Sequence, residues 1–345
     1  MKGLVLLALF FYKKLLDKFY SLNYFLLCEA LQYSILIIQL NIRINIKNLL
    51  FIISILVQFE ALSCVYGKDD RVEASSSSSY LSELARAVAV IIPGDYVFPL
   101  RKNSYYEVTT DTMEEGHGLC KSERFSEQYI ASYSNCTGFL VASDILVTAA
   151  HCAVEADVAL NYFKVVFNHR NEFLETEDIA DEYGDLEKFL ITPKENVYHF
   201  VKVLEIVESK KNGTADYAVL KLNKKVEGIR PLKFRKYGKV SAKDEMVAIG
   251  FPSGLPMKIA RNGQIINNKE KNYFLTSNDT FGGNSGSPII NFRSGEVEGI
   301  LIAGDKDYNK NKNKDCYEVN VCKDIKKCKG ETVQRITKLK SLKNL

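Results

Sequence analysis

For most of its length the chain alternates short apolar runs with turn residues. From Tyr80 onward, runs rich in Val, Ile, Phe and Tyr recur at Val88–Ile92, Gly138–Val141, Ile145–Ala149, Phe163–Asn168, Phe200–Val207, Tyr217–Leu222, Met246–Gly250, Gly263–Asn267, Tyr273–Ser277, Ser287–Asn291 and Glu296–Ile302. Gly, Asn, Asp, Ser or Pro separates most of them, at spacings that favour a β-barrel or sandwich over parallel βαβ units. Helical spacing stands out only at the C-terminus, where Val333, Ile336, Leu339 and Leu342 recur among Lys and Arg; a terminal helix docked on the β structure is expected there. Residues 64–80, with the charged Lys68-Asp69-Asp70-Arg71 and the run Ser75–Ser79, read as an extended or flexible lead-in, with ordered structure beginning near Tyr80. No repeat of solenoid or propeller period is present.

Residues 1–63 are set apart by charge and hydropathy. Apolar runs at Gly3–Tyr12, Tyr33–Leu40 and Leu49–Val57 are interrupted by charges, and none reaches the roughly 20 residues needed to span a bilayer as a helix. The last run is the best signal: Arg43 and Lys47 form a basic lead, Leu49–Val57 an apolar core, and Ala61-Leu62-Ser63 a small-x-small cleavage site. Export is expected, to a secreted or periplasmic location. A retained membrane anchor is the competing reading, in which membrane contact comes through this segment alone.

Composition adds a compartment and removes some partners. With 46% hydrophobic and 26% charged residues, the chain has the make-up of a globular protein. Its net charge of +4 falls mostly on residues 1–63, which leave 40 basic and 39 acidic residues behind them, so the body is close to neutral. Residues 305–345 do hold twelve Lys/Arg against six Asp/Glu, but a solvated lysine face is the commoner origin of such a run, and no nucleic-acid partner is expected. Beyond Cys28 and Cys64, six cysteines remain, at 120, 136, 152, 316, 322 and 328. An even number suits three disulfides in an oxidising compartment, with free buried thiols as the alternative. Cys316, Cys322 and Cys328 lack the close pairing of a structural zinc site, so no metal is expected.

Chemistry is concentrated in three places. In Cys136–Cys152 an apolar hairpin ends in small residues and delivers one histidine, His151, beside a cysteine. A Cys136–Cys152 pair can staple that hairpin, and a cross-linked loop holds an imidazole within reach of a nucleophile as a general base must be held. Thr148-Ala-Ala-His-Cys152, with a cysteine sixteen positions before Cys152, resembles the histidine loop of the trypsin-like peptidases. Phe281-Gly-Gly-Asn-Ser-Gly-Ser-Pro288 is similar to their nucleophile loop in the form found among bacterial relatives of the glutamyl endopeptidases. Glycines there let backbone N–H groups approach a substrate carbonyl without a Cβ in the way. The third member of such a site is a carboxylate lying between these two in sequence. Asp216, opening the apolar run Asp216–Leu222, resembles the family's Asp-led strand.

The resemblance covers roughly residues 65–345, with further carriers at Val65–Arg71, Ile249–Gly254, Asp279–Asn284 and Gly295–Leu301. It implies an all-β fold of two six-stranded antiparallel barrels, residues 81–228 carrying His151 and Asp216 and residues 229–345 carrying Ser285 and the terminal helix. It implies a cofactor-free serine endopeptidase with the triad His151, Asp216 and Ser285 and an oxyanion hole of the Gly283 and Ser285 N–H groups. Protein or peptide substrates and a monomeric state are expected. Asp279, six positions before Ser285, falls where trypsins place the acid of the specificity pocket, so a basic residue is expected before the cleaved bond, with Thr280, Ile302 and Gly304 as further pocket positions. The alternative is a catalytically silent trypsin-like binding protein at the cell envelope.

Three residues depart from the family pattern. Asn284 stands where animal trypsins have an aspartate that pairs with a newly cut N-terminus. Phe281 replaces a cysteine that braces the pocket, so packing or the cysteines at 316–328 must hold that wall, and Cys120 is expected to bridge to one of those three. Leu301 occupies the place of a carboxylate-binding histidine of the glutamyl enzymes.

Overall fold

The computed structural model describes residues 65–345 apart from 100–104, 133–134, 154–159, 161, 181–185, 209–214 and 326–327. Residues 1–63, read from the sequence as a targeting or anchor segment, lie outside the described residues, as do Cys28 and Cys64.

Six of the apolar runs close into a barrel. Its strands are β1 (Val88–Ile92), β2 (Cys136–Ala142), β3 (Ile145–Thr148), β4 (Lys164–Val166), β5 (Val197–Glu208) and β6 (Asp216–Leu222), in the spatial order β4-β5-β6-β3-β2-β1 with β1 pairing back onto β4. Every pairing is antiparallel. All five residues of β1 are buried, as are Phe139, Leu140, Leu146, Val147, Val165, Phe200 and Ala218–Leu220. Closure satisfies the backbone of every barrel strand without leaving an edge. The twelve-residue β5 serves two partners, β4 with its first residues and β6 with the rest. Register shifts after Phe200 and Val203 supply the bend. A side sheet of Val97–Pro99, Tyr105–Thr109, Glu175–Ala180 and Leu186–Pro193 lies outside this ladder.

The second half is an eight-stranded antiparallel sheet rather than a closed six-stranded barrel. Its strands are β7 (Met246–Gly250), β8 (Lys258–Gly263), β9 (Ile265–Asn267), β10 (Tyr273–Thr276), β11 (Pro288–Asn291), β12 (Val297–Ala303) and β13 (Glu331–Arg335), ordered β9-β10-β13-β12-β11-β7-β8, with the two-residue strand Val72–Glu73 added at the β8 edge. β8 and β9 are one extended stretch interrupted at Gln264, the first part pairing with β7 and the second with β10, so the sheet curls into a half-barrel while its ladder stays open. At the bend the Asn278 amide donates to the Met246 and Ala260 carbonyls (3.0 and 3.3 Å). Gly263 has no room for a Cβ against that side chain. A side-chain amide thus takes the place of ladder hydrogen bonds where the strand turns.

Two further expectations need correction. The terminal helix is absent: Val333 lies in β13, and Ile336–Lys338 and Ser341–Asn344 are separate 3₁₀ turns. Ile336, Leu339 and Leu342 are all buried, but from two short turns and the extended Leu339 between them rather than from one helical face. Residues 65–80 are not a lead-in. Val65–Tyr66 pairs in parallel with Val321–Cys322, Val65 and Arg71 are buried, and Ser78 caps a helix at Ser79–Ala85 by accepting from the Leu81 N–H. The serine run that suggested flexibility supplies that cap.

The cysteines pair as Cys120–Cys316, Cys136–Cys152 and Cys322–Cys328. Three disulfides are the bonding state of an oxidising compartment, in keeping with an extracellular or periplasmic location.

Candidate active site

The register of two barrel strands brings His151 and Asp216 together. β3 runs into the 3₁₀ turn Ala150–Cys152, and Ala218 of β6 pairs with Thr148 of β3. Two residues back along an antiparallel neighbour, Asp216 therefore meets the turn that carries His151. Its Oδ2 lies 2.6 Å from His151 Nδ1, and its Oδ1 accepts the His151 backbone N–H at 3.1 Å. One carboxylate thus fixes both the ring and the main chain of a histidine whose side chain is 38% exposed, leaving its other ring nitrogen unspent on Asp216.

Ser285 comes from the other half, in the loop joining β10 to β11, and several bonds fasten that loop to the first barrel. The Thr137 N–H donates to the Ser285 carbonyl (2.8 Å) and the Thr137 hydroxyl to the Gly283 carbonyl (2.8 Å). Thr137 follows Cys136, whose disulfide partner Cys152 follows His151, and Cys152 Sγ lies 3.7 Å from the Ser285 carbonyl oxygen. Nucleophile loop and histidine loop are tied through the same two-residue segment of β2. Gly283 and Gly286 hold φ near +87° and +88°, a region a side chain disfavours. A Cβ at Gly286 would also run into the Thr137 carbonyl. Among the described residues neither the Gly283 nor the Ser285 N–H has a protein acceptor, as donors awaiting a substrate oxygen require.

A cavity of about 140 Å³ adjoins Ser285, lined by Thr280, Phe281, Gly282, Leu301, Ala303, Gly304, Asp305, Asp307 and Glu331. Thr280 and Gly304 of the expected pocket line it; Asp279 and Ile302 do not. Side chains alternate along β12, so Leu301 and Ala303 face the cavity while Ile302 packs into the core. Asp279 turns the other way, accepting the backbone N–H groups of Tyr66 (2.7 Å) and Asp70 (2.9 Å). Burial raises its pKa, and that of Asp70 beside it, against those hydrogen bonds.

The cavity's acids are instead Asp305, Asp307 and Glu331, which sequence reasoning missed. Asp305 and Asp307 directly follow the pocket strand and could have been noted there; Glu331 is distant in sequence and reaches the site through the pairing of β13 with β10 and with the pocket strand β12. Asp307 accepts the Gly282 N–H (2.7 Å), and Glu331, 1% exposed, accepts hydroxyl protons from Thr280 (2.6 Å) and Tyr66 (3.0 Å). Burial pushes the Glu331 carboxyl up to about 8, against these two donors and with the help of Asp307 and Asp305.

Phe281, the residue in place of a bracing cysteine, is held from the N-terminal segment. The Arg71 guanidinium sits 3.9 Å from its ring centroid, buried to 2% exposure and bound through two nitrogens to Asp69. A desolvated cation on an aromatic face contributes about 2 kcal/mol. Cys136, His151 and Cys152 also place one sulfur or nitrogen each within 4.8 Å of one another, but both sulfurs are consumed in the disulfide and cannot act as thiolate ligands.

Residues 136–300 match the family model described as the trypsin-like peptidase domain. Among curated proteins no match is found. Two solved structures are similar over most of their length. One is a Glu endopeptidase in complex with MPD, 17% identical, covering 70% of this chain and 87% of that one at a TM-score of 0.41. The other is Deg5, 15% identical, covering 64% of this chain and 81% of that one at a TM-score of 0.36. The span matched by the family model contains His151, Asp216 and Ser285. Over residues 136–300, then, the chain is similar to the trypsin-like peptidase domain.

Proposed function

We propose that this chain is an exported serine endopeptidase acting through Ser285, His151 and Asp216. Ser285 attacks the peptide carbonyl, His151 takes its proton and returns it to the leaving amine, and Asp216 keeps the imidazole in the required tautomer and stabilises its charged form. The Gly283 and Ser285 N–H groups receive the oxyanion, and the acyl-enzyme is then hydrolysed by water. The observation that carries this reading is the 2.6 Å contact between His151 Nδ1 and Asp216 Oδ2 on a loop tied through Cys152, Cys136 and Thr137 to the serine loop. A preference for a basic residue before the cleaved bond fits the acids around the cavity. Substrates are proteins or peptides, no cofactor is required, and the chain acts as a monomer.

Profiling cleavage of a peptide library by the purified protein beside Ser285→Ala tests the reading. Hydrolysis by the first and none by the second is expected; equal turnover by both would defeat it. A silent binding protein would cleave nothing in either form, and the Gly283 and Ser285 N–H groups, without an acceptor among the described residues, favour the enzyme.

A further inference from the structure

We propose that Glu331, rather than Asp279, selects the residue preceding the cleaved bond, and that it selects lysine or arginine; this rests on Ser285 being the nucleophile. A side chain entering the cavity from a substrate bound at Ser285 meets walls from Leu301, Ala303 and Thr280 and then the acids Asp305, Asp307 and Glu331. Glu331 is the deepest of them, with 1% exposure, and its position is fixed at both oxygens by the Thr280 and Tyr66 hydroxyls.

Gly304 lies directly over that carboxylate. A Cβ at this position would collide with Glu331 Oε2, so the absence of a side chain there keeps the acid reachable from the cavity. A buried acid without a counter-charge is costly, and an ammonium or guanidinium delivered by the substrate offsets that cost. An acidic substrate side chain would instead face the buried acid Glu331 with Asp305 and Asp307 beside it. Asp279 is excluded because it does not line the cavity, its carboxylate being turned towards the Tyr66 and Asp70 N–H groups of the N-terminal segment.

The groups facing Glu331 are Thr280 from the nucleophile loop, Tyr66 from the N-terminal strand, and Asp305 and Asp307 from the loop after β12. A cation bound among them lowers the proton affinity of Glu331, so binding near pH 7 releases a proton.

Two measurements test this. For the active enzyme, the ratio of kcat/KM on peptides with Lys against Leu before the cleaved bond is expected to fall on the order of a hundredfold in Glu331→Gln and to be retained in Asp279→Asn. Loss in Asp279→Asn with retention in Glu331→Gln would overturn the assignment, as would a wild-type preference for Leu or Glu. For Ser285→Ala, which performs no chemistry, benzamidine is expected to bind with heats that depend on buffer ionisation at pH 7. No binding, or buffer-independent heats, would overturn it without involving a Glu331 variant. If the wild type cleaves nothing while Ser285→Ala still binds benzamidine with proton release, the catalytic reading fails and takes the specificity role with it, but not the cation site.

Discussion

At the scale of single residues, the site divides its acids by environment. Asp216 is partly exposed and spent on His151, so Asp216→Asn is expected to leave the fold intact while lowering kcat on the order of 10³–10⁴-fold, because the amide no longer holds the required tautomer. Steady-state kinetics on a peptide cleaved by the wild type check this; a loss below tenfold would contradict the role. Glu331 is buried, and its proton is a matter of stability. In the folded chain it holds that proton up to about pH 8, whereas the unfolded chain releases it near the ordinary value of 4.5. Between these values the folded state binds more protons, so the stability associated with this group is complete below about pH 4.5 and is lost as pH rises towards 8. Thermal melts across pH 5–8 should show a falling Tm whose slope is shallower in Glu331→Gln. An identical slope in both would contradict the burial of an uncharged acid.

Among elements, the decisive contacts join loops rather than strands. Thr137 donates to the Gly283 carbonyl, accepts from the Phe251 N–H at 3.3 Å, and bonds through its own N–H to Ser285. Thr137→Val keeps the shape and removes the hydroxyl, depriving the buried Phe251 N–H and the half-buried Gly283 carbonyl of that partner. A loss of about 1–3 kcal/mol in denaturant unfolding is expected, together with a lower kcat as the serine loop loosens. Arg71→Ala acts on the same loop from the opposite side by releasing the face of Phe281 and leaving Asp69 with one cation fewer. A stability loss of about 2–4 kcal/mol is expected in the same experiment, more than an exposed arginine would give.

The six barrel strands and the Cys136–Cys152 staple were legible in the sequence from local pattern, whereas His151, Asp216 and Ser285 stood out only jointly, through family resemblance, and the side-sheet strands and β13 were not foreseen. Ile302 was misplaced by one position, since the alternation of β12 has no phase until a neighbour fixes it. Asp279 was misplaced because its partners lie more than 200 residues away, in a segment whose charges and serines read as solvent-loving.

Taken whole, the described part of the chain is a closed barrel and a half-barrel, with distant pairings fastened outside their ladders: the N-terminal strand against Val321–Cys322, and Cys120 against Cys316 across a separation of 196 residues. Such a cross-link restricts the unfolded chain strongly, so Cys120→Ser with Cys316→Ser is expected to cost about 2–5 kcal/mol, read by denaturant unfolding. The second sheet was the part least open to sequence reasoning. Its curvature depends on Asn278 reaching a strand bend, and its outer edge on the two residues Val72–Glu73, neither of which shows in hydropathy.

The central claim, that Ser285 is an activated nucleophile served by His151 and Asp216, is tested most directly by fluorophosphonate labelling of the purified protein, with the adduct located by peptide mass spectrometry. A single adduct on the peptide containing Ser285, lost in Ser285→Ala and strongly slowed in His151→Ala, is the expected result. No adduct on folded protein, or an adduct on a different serine that persists in Ser285→Ala, would contradict it.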